Sequence, residues 1–216
     1  MALSCIVFDC DGVMLESVPI KTRAFARIAE PFGPDAVDQL VMHHKAHGGV
    51  SRYKKFEWLY REVLGRAITR AELEALGRRY AEIAFEEVCR CDLVPGVEDV
   101  LTRWQGRVPM YVCSGAPHEE LNVILQGRGL DRYFAGIYGS PPAKAVLLRG
   151  ILDRAGVVPA TAVMVGDSVT DLDAAEAVGA LFYGRGGELK GYGCPWGEDL
   201  TGLNEWLETL HAGLVV

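Results

Sequence analysis

Short, nearly continuous apolar runs alternate along the chain with longer stretches in which apolar residues recur every three or four positions. Residues 4–8 (SCIVF), 108–113 (VPMYVC), 134–138 (FAGIY), 161–165 (TAVMV) and 180–183 (ALFY) are the short runs. Their lack of alternation implies burial on both faces, as for strands of a parallel sheet. Helices are expected between and after them, at about 97–106, 117–128, 142–155, 170–178 and 202–212. In the last of these, Leu203, Trp206, Leu207 and Leu210 fall on one helical face. This alternation predicts a doubly wound α/β core.

One stretch departs from the pattern. From about 15 to 88 only helical periodicity is present. Thr69 and Glu72 have capping-box spacing, and Ser51 precedes the amphipathic SRYKKFEWLYREVL. Pro95-Gly96 marks the return to the core. The expected division is an α/β core from 1–14 and 89–216, with a small helical unit at 15–88 inserted after the first strand.

Composition narrows the picture modestly. The 216 residues suffice for one core with an insertion. A net charge of −7 argues against a nucleic-acid partner, whose phosphates an acidic surface repels. The N-terminus lacks the basic start and longer apolar stretch of a secretory signal, and no window reaches the roughly 20 apolar residues of a membrane span. A cytoplasmic protein without a membrane partner is expected. The six cysteines show no paired CxxC spacing and are read as reduced thiols, not zinc ligands.

The candidate chemistry lies at the ends of the expected strands, where ligands bind in open α/β sheets. The first strand ends in Asp9-Cys10-Asp11-Gly12, whose two close carboxylates call for a cation, though the same residues can serve as a turn. The second ends in Ser114-Gly115, a hydroxyl and open backbone amides suited to an anion and equally routine in loops. Lys144 follows the third, in the first turn of a helix, where the helix dipole disfavours a cation. After the fourth come Asp167 and Asp171, with Ser168 and Thr170 as candidate helix caps.

Acid pair, hydroxyl, lysine and acid pair, in that order and with an insertion after the first, resemble the haloacid dehalogenase superfamily over nearly the whole length. The resemblance implies a five-stranded parallel core and a helical cap of the C1 type at about 15–88. It implies that Asp9 attacks phosphorus and that Asp11 protonates the leaving oxygen and then activates water. Asp9, the backbone carbonyl of Asp11, and Asp167 would hold Mg2+, with Asp171 behind them supporting a metal-bound water or the Lys144 ammonium. Ser114, Gly115 and Lys144 would bind the phosphoryl group. Dehalogenases of the superfamily lack an acid at the Asp11 position, so its presence implies an oxygen leaving group.

The basic segment His43–Lys55 holds three of the five histidines and suits an anionic or polyhydroxylated substrate tail, or else a solvated connection between helices. Gly49-Val50-Ser51-Arg52 resembles the cap loop of β-phosphoglucomutases, which implies that Arg52 binds a non-transferring phosphate. Lys21 departs from those mutases, which carry a proton-transferring histidine there. Gly166-Asp167-x-x-x-Asp171 is more typical of phosphatases such as phosphoglycolate phosphatase. The expected activity is therefore a Mg2+-dependent phosphatase of a small phosphorylated metabolite, ahead of a phosphomutase and of a catalytically silent binding protein.

Overall fold

The computed structural model describes residues 2–213, so the outermost ends of the expected core segments, residues 1 and 214–216, lie outside it. Six strands form a parallel sheet: β1 (Cys5–Phe8), β2 (Met110–Pro117), β3 (Gly136–Ser140), β4 (Ala162–Gly166), β5 (Leu181–Arg185) and β6 (Trp196–Gly197). Their order is β3-β2-β1-β4-β5-β6. The chain leaves β1 toward one edge and, after β3, crosses to β4 on the other side. A crevice at the carboxyl end of β1 follows from that reversal.

Four helices, α1 (Val18–Ala29), α2 (Pro34–Ala46), α3 (Arg52–Trp58) and α4 (Arg70–Arg90), fill the interval between β1 and β2, followed by α5 (Val97–Trp104). The remaining helices are α6 (His118–Gly127), α7 (Lys144–Ala155), α8 (Val169–Val178) and α9 (Leu203–His211). No described helix is long and apolar enough to cross a membrane.

The five expected strands appear within a few residues of their expected bounds, but the sheet has six. Trp196–Gly197 adds a two-residue edge strand in a Gly- and Pro-rich segment that carries no apolar run. Backbone pairing alone makes it, so periodicity could not reveal it. Strand β2 runs on to Pro117, with its register shifting between Ser114 and Pro117, so Ser114 and Gly115 are held by strand geometry.

Every residue of β1 is buried. Ile6 and Phe8 face one hydrophobic cluster, with Leu101 and Trp104 of α5, Ile124 of α6 and Leu207 of α9. Cys5 and Val7 face the other, with Leu148 and Ile151 of α7 and Ala175 of α8. The first cluster continues without a break into Phe25, Leu40, Phe56 and Tyr80 of α1 to α4. In α4 the expected capping box is present: Glu72 N donates to Thr69 Oγ1 at 3.3 Å, and Thr69 N to Glu72 Oε2 at 2.8 Å.

Trp104 is fully buried, its indole N–H donates to Asn204 Oδ1 at 3.0 Å, and the Arg107 guanidinium lies 4.2 Å from its ring. Trp104→Ala should cost about 3–5 kcal/mol in urea denaturation by opening a cavity and orphaning Asn204. Met42→Ala, at a position 69% exposed, should stay within about 0.5 kcal/mol.

Candidate active site at the carboxyl ends of the strands

Asp9 directly follows β1, and its backbone N–H donates to Val165 O at 2.9 Å, extending the ladder with β4 by one rung. That rung fixes the carboxylate, which is 2% exposed, at the mouth of the crevice. Gly12 lets the next turn close over it. A Cβ at Gly12 would lie 2.1 Å from Asp167 Oδ2, so a side chain there would expel the acid that follows β4.

Lys144 opens α7, and its ammonium bridges two acids: Asp9 Oδ2 at 3.0 Å and Asp171 Oδ1 in direct hydrogen bond. Asp171, in the first turn of α8, accepts through Oδ2 from the Ser168 hydroxyl at 2.7 Å and the Ser168 N–H at 3.2 Å. It therefore caps its own helix while anchoring the lysine. Ser114 is buried in β2, where its Oγ accepts from Ala116 N at 3.2 Å and donates to none of the described residues. Gly115 meets the inserted helices: a Cβ on it would lie 1.9 Å from Gly49 O, so only glycine permits that approach.

Carboxylate oxygens of Asp9, Asp167 and Asp171 lie within 4.8 Å of one another. Burial first, then Asp171 and Asp11 against the opposing pull of Lys144, pushes Asp9 up to about 6. Asp167 is raised well above the usual carboxylate range by burial and by Asp171 and Asp9. Burial opposes the Lys144 charge, yet Asp171 and Asp9 raise it on balance. Asp9 Oδ1 is buried with no hydrogen-bond partner. An orphaned carboxylate oxygen among three acids and one lysine is the donor set that a hard divalent cation takes, so the residues fit such an ion.

Asp11 stands apart from that cluster. Its carboxylate accepts from Lys21 Nζ at 2.5 Å and from the Ser17 hydroxyl at 2.6 Å. Burial works to raise it, but Lys21 and Ser17 prevail and hold it below its ordinary value.

A cavity of about 260 Å³ opens over these groups. Asp9, Asp11, Asp167 and Ser114 line one side, and Lys21, Arg52 and Lys55 line the side made by α1 and α3. Arg52, the expected anion binder, pairs with Glu120 of α6 and stacks 4.4 Å from the Tyr80 ring centroid. Lys55 was not singled out by the sequence. The signal was there: Arg52, Lys55, Phe56 and Leu59 share the buried face of α3 and its continuation, and a lysine is out of place among them.

The model of the haloacid dehalogenase-like hydrolase family matches residues 3–179. Phosphoglycolate phosphatase 1 of Pseudomonas aeruginosa is 31% identical over 192 residues, covering 83% of this chain and 69% of the relative. The phosphorylated carbohydrates phosphatase of Thermotoga maritima is 26% identical, covering 82% of each chain. The crystal structure of β-phosphoglucomutase from Clostridium difficile superposes with a TM-score of 0.81 at 16% identity, covering 98% of both chains.

Crowded acids have a measurable consequence in metal-free protein. An acid whose folded-state value is raised loses stability as pH climbs from its unfolded to its folded value. Asp167→Asn should therefore raise stability by about 1 kcal/mol or more at pH 8 in chelator, with the gain vanishing toward pH 4, where Asp167 is protonated in the folded protein. Urea midpoints at the two pH values test this; an equal change at both contradicts it.

Proposed function

The chain belongs to the haloacid dehalogenase-like hydrolases, and on that premise we propose that it is a Mg2+-dependent phosphatase of small phosphorylated metabolites working through a phosphoaspartate on Asp9. The observation that carries the reading is the buried Asp9 Oδ1, with no hydrogen-bond partner among the described residues, on a carboxylate that contacts Lys144 and shares a cluster with Asp167 and Asp171. Such an oxygen is desolvated and aimed, as a nucleophile must be. Its obstacle is charge, since two unit charges ~4 Å apart repel by about 4 kcal/mol at an intermediate dielectric.

Asp9, Asp167 and the Asp11 backbone carbonyl would hold Mg2+, with Asp171 behind them; the ion supplies the positive charge that offsets this repulsion. Lys144 adds a fixed cation, and the Ser114 hydroxyl and Gly115 N–H offer donors to the equatorial oxygens. In the first step an Asp9 carboxylate oxygen bonds to phosphorus as the ester P–O bond breaks. The departing oxygen takes a proton from Asp11, which draws it from the Lys21 ammonium hydrogen-bonded to its carboxylate, and the water proton Asp11 accepts in the second step restores that ammonium. In the second step water attacks phosphorus, the bond to Asp9 breaks, and Asp11 accepts the water proton. Phosphate and an unmodified Asp9 result. In this reading residues 15–88 act as a cap that covers the crevice and supplies Lys21, Arg52 and Lys55.

Wild-type protein should release phosphate from a panel of small phosphate esters in Mg2+ and stop in chelator. Asp9→Asn should reduce release by about a thousandfold or more. Borohydride added during turnover should convert residue 9 to homoserine, the product of reducing an acyl phosphate. Undiminished turnover by Asp9→Asn refutes the covalent role; interconversion of sugar phosphates with little phosphate released identifies a mutase instead.

A further inference from the structure

Three cationic side chains of Lys and Arg are buried among the described residues: Arg52, Lys55 and Lys144. Two have carboxylate partners. Lys144 holds Asp9 and Asp171, and Arg52 holds Glu120. Lys55, 2% exposed, has none. Its neighbours are His44 Nδ1 at 2.9 Å, His44 O at 3.4 Å and the Phe25 ring, whose centroid is 5.2 Å away.

The proton on His44 can be placed. The Thr22 hydroxyl donates to Val18 O at 2.8 Å, so it faces His44 Nε2, 3.1 Å away, as an acceptor. Nε2 then carries the hydrogen and Nδ1 is the bare acceptor that takes an N–H from Lys55. Burial chiefly, with the charge of Lys55 second, pulls His44 down to about 3, consistent with a neutral ring. His44 also stacks on Phe25 at 4.5 Å, which fixes its plane. Thr22, His44 and Phe25 thus hold the Lys55 amine at the cavity wall without a carboxylate partner, and burial first, with the charge of Lys21 second, pulls that amine down to about 7. An ammonium has three donors, and His44 accounts for two.

A buried amine without a counterion sheds its charge, and an anion that arrives with a ligand restores it, so this wall suits such an anion. We infer that Lys55, oriented by His44, receives a second anionic group of the substrate, a carboxylate or a second phosphate, while the acid cluster engages the phosphoryl group. The substrate class is then a small phosphate ester with an anion at its far end. Arg52 lines the same wall and is already paired with Glu120.

The inference rests on the phosphatase reading for the phosphoryl end only, so its test measures binding. Full-length Asp9→Asn in Mg2+ is titrated calorimetrically with two matched pairs: 2-phosphoglycolate against 2-hydroxyethyl phosphate, and glucose 1,6-bisphosphate against glucose 6-phosphate. In at least one pair the ester with the second anion should bind about tenfold tighter or more, as a charged hydrogen bond allows. The pair showing it distinguishes carboxylate from phosphate. Adding Lys55→Met, and separately Lys55→Gln, should shrink that preference to within about threefold, while Lys55→Arg retains part of it. Lys55→Met removes a buried charge, so its melting temperature should not fall. No preference in either pair, or a preference surviving both neutral substitutions, overturns the assignment. Failure of the phosphatase reading shows separately, as wild-type protein that releases no phosphate.

Discussion

A single ammonium holds the centre of this molecule together. Lys144 ties Asp9, at the end of β1, to Asp171, at the start of α8, across a cluster of three acids with no other cation in contact among the described residues. Like charges in a desolvated crevice raise one another and resist ionisation, and one lysine cannot neutralise three carboxylates. The surplus negative charge is what gives the site an appetite for a divalent cation. It also explains an oddity of the sequence, a lysine in the first turn of α7. The helix dipole disfavours it there by a few tenths of a kcal/mol to about 1 kcal/mol. Two buried carboxylates beside it contribute more, and Asp171 is itself held by the Ser168 hydroxyl and N–H.

The same site divides its acids by environment. Burial pushes Asp9 and Asp167 up, with Asp171 raising both, whereas Asp11 is held down by Lys21 and Ser17. Two carboxylates two positions apart in sequence thereby acquire different chemistry. In the proposed reaction Asp9 would need an ion and Lys144 to become a nucleophile. Asp11 already has its counterion and, through Lys21, a proton to give. Environments that push titratable groups apart are how one crevice supports both nucleophilic and proton-transfer work.

The parallel core was legible because burial on both faces leaves unbroken apolar runs such as Cys5–Phe8 and Ala162–Gly166, and because each run ends where the topology needs a site. Polar residues could be located on that frame by position alone. Trp196–Gly197 could not, since a two-residue edge strand is made by backbone hydrogen bonds that leave no periodicity. Nor could the partners of the basic segment be read. Lys54 and Lys55 are adjacent, yet Lys54 faces solvent and pairs with Glu57, while Lys55 is buried against His44. Arg52 looked like a free anion binder until α6 brought Glu120 to it from 68 residues away. Pairings of that kind depend on how helices pack, and motif spacing carries no information about them.

Specificity has to come from the inserted helices, for a reason internal to the site. In the proposed reaction everything the strand ends contribute, from Asp9 to Lys144, would act on the phosphoryl group, which all phosphate esters present alike. Discrimination requires groups that touch the remainder of the molecule. In a cavity of about 260 Å³ that remainder is short, so few side chains can reach it. Lys21 is engaged by Asp11 and Arg52 by Glu120, whereas Lys55 has no carboxylate partner among the described residues. The close approach of Gly49 to Gly115 brings the inserted segment against β2, so the two charged ends of the cavity are held at a fixed separation. On the proposed reading an acid cluster on the sheet and the Lys55 amine on the inserted helices would select by both length and charge, and neither half of the fold could do so alone.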